Sequence, residues 1–253
     1  MIRACVAWAG VALLLTAGTV RADGLADLKA ALARASAATP LRMQVDTRIS
    51  RKLGEGKEAD EESGQAGVML EVGARGLGVT YSRATLAKVD AELRAKSKNP
   101  NGKTPTMKAL DEINARELLS LASAGPALAR GIERATFKGE RVDAWQGKPA
   151  RLLTFDAPIS SLSDRERKYA KKFDSVLQVW IGADGTPLAN RARMAISGRA
   201  FVVVSFESTN TEDWVFSAVG DHLLVTRKET LLVSSGAGER EERRAVTTLQ
   251  VVP

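Results

Sequence analysis

The sequence predicts an α+β protein built on one antiparallel sheet, and three observations predict it. Apolar and polar residues alternate in several stretches, a period of two that is typical of strands with one buried face. Short turns that contain glycine join many of these stretches, which indicates hairpins and antiparallel pairing. Helical spacing is concentrated in a leading segment and in one block at 84–133, and this segregation favours α+β over alternating α/β.

The first part of the chain predicts one helix followed by three strands. Residues 24–38 space their leucines as an amphipathic helix does, and 41–49 then alternates through nine residues. The polar, acidic stretch 55–64 is expected to be a solvated loop. Alternation resumes at 65–74 and continues at 77–81 after a glycine-containing turn, so these two stretches predict a hairpin.

The block 84–133 predicts two or three helices inserted between strands. The first ends at the Asn-Pro-Asn-Gly of 99–102, and a proline near the first turn opens the second at Thr104. Pro126 begins a short third helix. The apolar residues expected on the inward faces of the first two helices are Leu86, Val89, Leu93, Met107, Leu110, Ile113, Leu118 and Leu121.

From residue 136 the chain reads almost entirely as strands, interrupted by a capping box at Ser163–Glu166 that opens a short basic helix to Lys172. The strands bring the sheet to about nine to eleven, which is more than a flat sheet usually carries, so the sheet should curl into an incomplete β-barrel. The helices of 84–133 would then form a lid over it. The predicted strands of this part are 136–145, 150–157, 175–181, 188–196, 200–208, 222–234 and 243–252.

The first segment has the three parts of a secretory signal peptide. A positive start at Arg3 precedes the uncharged apolar run 4–20, and small residues at Val20 and Ala22 frame a cleavage site. A retained membrane anchor is the alternative, but it needs about 20 apolar residues. We therefore expect residues 1–22 to be removed, 23–253 to form a single domain, and the protein to be periplasmic.

Composition narrows the chemistry. The chain of 253 residues has one cysteine, Cys5, and one histidine, so Cys/His zinc sites and Cys–His nucleophile pairs are excluded. We predict no metal and no cofactor. Removing Arg3 and Arg21 lowers the net charge from +7 to +5. Outside the inner membrane the abundant polyanions are lipid headgroups, so this charge suits an anionic membrane surface and predicts no nucleic-acid partner.

No catalytic residue is predicted. His222 has no G-x-S-x-G partner and is expected to be a polar residue at the start of a strand. The carboxylates Asp143, Asp156, Asp174 and Asp184 could act as acid and base, but each sits beside a turn or strand end, where aspartate is common. The Ser-Gly-Ala-Gly of 235–238 lacks the rest of a phosphate loop and predicts a hairpin turn.

The short basic helix spaces Arg165, Lys168 and Lys172 three and four residues apart. This stripe is typical of a solvated surface, and it would also suit an anionic headgroup or an acidic partner.

The leading helix, the alternating strand 41–49, the helical insertion after Tyr81, and the apolar strand that runs into Asp184-Gly185 within 179–188 together resemble the periplasmic lipoprotein-carrier superfamily of LolA-, LolB- and RseB-like half-barrels. The resemblance is one of layout and covers most of 23–253. It implies an incomplete antiparallel barrel with a helical lid over a hydrophobic cavity. The long insertion departs from the family pattern and favours a relative that binds another lipid.

The sequence thus leads to three functional hypotheses. The first is a periplasmic carrier-like protein that binds a lipid or an acylated protein by burying an acyl chain in the half-barrel. The second is a non-enzymatic interaction or stress-sensor module with an envelope protein partner and a self-filled interior, and the third is an exported hydrolase. The residues predicted to line the cavity are Met43, Val45, Val68, Leu70, Tyr81, Leu86, Val89, Leu93, Met107 and Leu110.

Overall fold

The computed structural model describes residues 23–56, 59–73, 75–200 and 204–253. In these ranges it contains six α-helices and ten strands, so the predicted α+β class is confirmed. The predicted signal peptide, with Cys5, lies outside the described residues, and export stays a prediction.

The helices and strands alternate in blocks along the chain, as the sequence predicts. The helices are α1 (Gly24–Arg34), α2 (Arg83–Lys98), α3 (Pro105–Asp111), α4 (Ala115–Ala122), α5 (Ala124–Arg134) and α6 (Asp164–Tyr169). The strands are β1 (Leu41–Leu53), β2 (Asp60–Gly73), β3 (Gly76–Tyr81), β4 (Thr136–Trp145), β5 (Lys148–Asp156), β6 (Ala170–Ile181), β7 (Pro187–Ala200), β8 (Val204–Val219), β9 (His222–Gly236) and β10 (Glu239–Val251).

All ten strands belong to one antiparallel sheet, in the order β3-β2-β1-β10-β9-β8-β7-β6-β5-β4. From β4 to β10 each strand pairs with the next along the chain. The single long-range pairing joins β1 to β10. Within the described residues β3 and β4 are edges that do not pair with each other, so the sheet is not closed into a barrel.

The sheet curls around a shared core. Leu70 on β2 and Leu153 on β5 are seven strand spacings apart in the sheet order, yet both belong to one apolar cluster. At about 4.8 Å per spacing, a flat sheet would separate these strands by roughly 34 Å. The strands must therefore wrap around the helices, because only curvature brings both ends of the sheet to one cluster.

We call this cluster the main core. It joins apolar side chains of α1, α4 and α5 to the inner faces of strands from both ends of the sheet. A second group, which we call the small cluster, lies under α3. Its buried members are Ile49, Ala66, Ala109 and Ala245.

Helix α1 is fixed at its N-terminal end by polar contacts. The Asp23 carboxylate accepts from the backbone N–H groups of Leu25 and Ala26, each at 3.1 Å, which caps the helix. Arg151 of β5 binds Asp27 at 2.8 Å. Gly185, in the turn between β6 and β7, has φ +82°, and an added Cβ there would collide with the backbone of Asp27. Glycine is therefore required for this turn to pack beneath α1.

Two predicted boundaries are wrong at the N-terminal hairpin and at β8. The expected loop 55–64 is strand from Asp60, and the expected strand 200–208 runs to Val219. The extension of β2 and the first part of the β8 extension, to Asp213, carry polar residues that lack apolar alternation. They are strands because they pair with a neighbouring strand along the backbone, with cross-strand ion pairs such as Lys52–Glu61 at 3.1 Å beside the ladder.

The predicted second helix, from residue 104 to 124, is in fact two helices. Asn114 interrupts it, because its side-chain oxygen accepts from the Glu117 backbone N–H at 3.1 Å and so caps α4. The predicted basic helix is also shorter than expected. It ends at Tyr169, and Lys172 lies in β6, so the proposed stripe does not form on one helix.

Candidate functional site

The four strand residues of the predicted cavity lie in the main core. Met43, Val45, Val68 and Leu70 are buried to within 2% of full burial, and the helices that cover them are α1, α4 and α5. Their alternation along β1 and β2 places them on the inner face, as predicted. The space they face is occupied by the protein's own side chains.

The six remaining residues lie elsewhere. Tyr81, Leu86 and Leu93 are 43%, 52% and 47% exposed, and Val89 is half-buried. Met107 and Leu110 are half-buried on α3, where Leu110 packs against both the main core and the small cluster. The structure therefore separates the ten residues into a filled core, an exposed apolar row and the covering helix α3.

Helix α2 is attached along a narrow stripe. Within its 16 residues, all of which are described, no side chain is buried, and Thr85, Val89 and Glu92 are half-buried. The Glu92 carboxylate caps α3 by accepting from the backbone N–H groups of Thr106 at 2.8 Å and Met107 at 3.1 Å. A helix with so few buried contacts belongs to the least stable part of a fold.

The exposed side of α2 is both apolar and basic. Leu86 and Leu93 lie two turns apart on one face, and Tyr81 ends the strand that leads into the helix. We call these three residues the α2 ridge. The helix carries five basic and two acidic residues, a net charge of +3. An amphipathic helix of this kind is suited to the boundary between hydrocarbon and anionic headgroups.

Helix α3 rests on small side chains. Gly64 of β2 lies directly beneath it, and an added Cβ there would collide with the carbonyl oxygen of Pro105. In the small cluster, Ala109 of α3 packs on Ile49, Ala66 and Ala245 of the sheet. An ion pair also holds the helix: Lys108, whose side chain is 40% exposed, binds Glu62, whose side chain is 6% exposed.

A polar cleft of about 430 Å³ opens beside α2. Thr85 and Lys88 line its helical side, and strand residues that include Arg48 and Arg227 line the rest. Its polar lining suits a charged group better than a hydrocarbon chain.

His222 has a structural role at the start of β9, as predicted. Its Nδ1 lies 3.3 Å from the carbonyl oxygen of Ala122, and its Nε2 lies 2.6 Å from that of Thr39. The side chain is 1% exposed. The adjacent Asp221 carboxylate accepts from the Ser36 hydroxyl at 2.8 Å. The ring thus lies between the end of α4 and the segment before β1, with each nitrogen against a backbone carbonyl oxygen.

The four candidate carboxylates also make local contacts. The Ala144 backbone N–H lowers the pKa of Asp143, and the Thr186 hydroxyl lowers the pKa of Asp184. A general acid needs a raised pKa, so these two groups are poorly suited to that role. The partners are Trp180 and Arg141 for Asp143, Lys138 for Asp156, Arg193 for Asp174, and Thr186 for Asp184.

The segment 235–238 forms the predicted hairpin turn. Ala237 and Gly238 have φ of +54° and +83°, and β9 pairs with β10 on either side of them. Two consecutive residues with positive φ form the kind of turn that matches the twist of a two-residue hairpin.

Sequence analysis did not single out Glu92 or Glu62, which together fix α3. Glu92 reads as one more charge on an exposed helix, and Glu62 falls in the stretch that was expected to be a loop. Their partners lie 14 and 46 residues away, so no local pattern points to them.

Compared with family models, curated proteins and solved structures, the chain matches none of them. Across the described ranges no helix is long and apolar enough to cross a membrane. The same residues bring together no group of three or more His, Cys, Asp or Glu side chains that could hold a metal ion.

Proposed function

We propose that this chain is a periplasmic, non-enzymatic, carrier-like protein that binds a lipid or an acylated protein at helices α2 and α3. In this proposal α2 and α3 act as a movable cover over a half-barrel that is filled by its own side chains when no lipid is bound. One observation carries the proposal. The basic helix α2 has only three half-buried residues, one of which caps α3, and it leaves Leu86 and Leu93 exposed.

Apolar burial supplies the driving force. Each CH₂ group removed from water contributes about 0.8 kcal/mol, so an acyl chain laid along the α2 ridge gains free energy with every carbon covered. The two leucines gain as well, because both now face solvent.

Displacement of α3 exposes little apolar area on the sheet. It uncovers Ile49, Ala66 and Ala245, and it also separates Lys108 from Glu62, which adds to the cost of opening. Leu110 touches both clusters, so its movement would connect the surface to the main core. The acyl chain would thus enter the half-barrel beneath α2 and α3.

The charge of α2 suits an anionic headgroup. Lys88 lies in the polar cleft beside the helix, and Arg48 and Arg227 line the same cleft from the sheet. Basic residues next to a bilayer attract anionic lipid by about 1 kcal/mol each, which would hold the headgroup while the acyl chain lies on the ridge.

An interaction module with an envelope protein partner is the second candidate function. The filled main core favours it, because Met43, Val45, Val68 and Leu70 leave no space for a ligand on the inner face. The partner would then cover the α2 ridge directly.

The test is native mass spectrometry of the protein purified from its own envelope without detergent, followed by lipid extraction. We expect a stoichiometric lipid adduct that disappears in Leu86→Asp/Leu93→Asp. The control is Val142→Asp, which places the same change on an 89% exposed residue of the edge strand β4. Circular dichroism and the denaturation midpoint of each variant establish that it is folded.

A wild-type protein that carries no lipid would reject the carrier function and direct the next experiment to crosslinking through the α2 ridge. An adduct that persists in the double variant would show that the lipid binds elsewhere.

A further inference from the structure

A second cleft, of about 620 Å³, lies between α4 and α5 and reaches down to β8 and β9. This second cleft and the α2 ridge have no residue in common. Its lining combines basic, apolar and aromatic side chains: Arg116, Arg130, Arg134, Lys228, Leu119, Pro126 and Trp214, together with Glu117, Glu212 and several small residues.

The floor of this cleft is a fixed charge network. Lys228 binds Glu117 at 2.8 Å and Glu212 at 3.5 Å, and its ammonium lies 5.3 Å from the centre of the Trp214 ring. Burial lowers the pKa of Lys228, but Glu212 and Glu117 outweigh it and the net pKa is raised. Lysine therefore stays charged and holds both carboxylates.

The walls of the cleft carry unpaired cations. Among the described residues, the guanidinium groups of Arg116, Arg130 and Arg134 have no ion pair or hydrogen-bond partner. The acidic residues of the same cleft are already bound to Lys228. The three arginines are exposed residues that line this one cleft with no anion assigned to them.

We propose that this cleft, which we call the arginine cleft, binds a small phosphate ester, with its phosphate held by Arg116, Arg130 and Arg134. This inference is independent of the proposed function. Guanidinium groups match the oxygens of a phosphate in paired hydrogen bonds, and several together suit a doubly charged group better than a single carboxylate. Leu119, which is 53% exposed, and Trp214 offer an apolar surface to the organic part of the ester.

Calorimetric titration with glycerol 3-phosphate and with inorganic phosphate tests the site, and sedimentation with phosphatidic acid vesicles tests for a lipid source of the same phosphate monoester. We expect Arg130→Gln/Arg134→Gln to lose at least about tenfold in affinity, because each charge-assisted hydrogen bond to the phosphate contributes about that factor. Lys171→Gln/Lys172→Gln removes the same charge from exposed residues of β6 and should change affinity less than about twofold.

Arginine-dependent binding of glycerol 3-phosphate assigns a soluble ester, and arginine-dependent binding of the vesicles alone assigns a lipid headgroup. If the arginine and lysine variants lose equal affinity for the probes, the effect is one of net charge and the site is overturned. Failure of the wild type to bind any of the three probes would also overturn it. Leu86→Asp/Leu93→Asp should leave this binding intact, which separates a failure here from a failure of the α2 ridge.

Discussion

The helices that cover the two parts of the half-barrel are attached in opposite ways. Helices α4 and α5 bury Leu118, Leu121, Leu128 and Ile132 in the main core, each at most 4% exposed. Helix α2 buries none of its described side chains, and α3 packs closely on the sheet but contacts mainly small side chains there, with Ile49 the largest buried member of the small cluster. The part of the sheet under α4 and α5, which we call the sealed part, is covered by buried apolar side chains, and the part under α2 and α3 is covered by fewer of them. Any movement that admits a ligand should therefore be confined to α2 and α3.

The largest difference in the free energy of unfolding is expected between two leucine-to-alanine variants, one in each part of the molecule. Leu121→Ala removes a fully buried side chain and should cost about 2–5 kcal/mol in the free energy of unfolding. Leu86→Ala changes a side chain that is half exposed on α2 and should stay within about 0.5 kcal/mol. Urea denaturation measures both, and equal losses would contradict the comparison.

The next largest loss of stability is expected when the lysine that pairs with Glu62 is removed. Lys108→Met leaves the buried Glu62 carboxylate without its cation and should cost about 1–3 kcal/mol. Glu62→Gln/Lys108→Met is the matched control, and it should recover part of the loss because no charge remains buried. A double variant that is less stable than the single variant would show that the pair does not act this way.

Loss of the α3 cap should have a smaller and local effect. Glu92→Ala removes both hydrogen bonds to the first turn of α3 and should cost about 1 kcal/mol. Hydrogen exchange should speed up at the amides of α3 and stay unchanged in α4 and α5. Faster exchange in α4 would mean that the two parts open together.

The last change, Asp221→Asn, should lower the free energy of unfolding at neutral pH, and this loss should shrink as the pH falls. The Ser36 hydroxyl, with the Ala38 and Thr39 backbone N–H groups, holds the pKa of Asp221 well below its usual range. A lowered pKa in the folded state adds stability above the unfolded value of about 3.9, and this is lost as pH falls below it. The wild type should therefore lose more stability than the variant between neutral pH and about pH 3, measured by denaturation at each pH.

The strands that alternate regularly were predictable and the polar ones were not. The pattern of 41–49 placed Met43 and Val45 on the buried face, where both are found. Residues 60–64 and 209–213 are strand because a neighbouring strand offers its backbone, and opposite charges lie across the pairing, as Arg191 and Asp213 do at 2.6 Å. The pairing partner is distant in the chain, so the local sequence pattern does not predict these strands.

The sites were less predictable than the fold. Apolar spacing predicted that Leu86 and Leu118 both face inward, yet Leu118 is 1% exposed and Leu86 is 52% exposed. Apolar spacing does not separate the two helices, although α2 has seven charged residues in 16 and α4 only two in eight. Arg130 and Arg134 stand four residues apart on α5, a spacing visible in the sequence, but Arg116 joins them only because α4 packs beside α5.

The sequence by itself determined the α+β class, the antiparallel pairing and the inner face of the alternating strands, because period and turn chemistry act between residues close in the chain. The tertiary structure alone decided that the sheet curls far enough to fill its interior, that α2 lies outside the core, and that three arginines border one cleft. These features depend on contacts between residues distant in the chain, whose geometry no local pattern specifies.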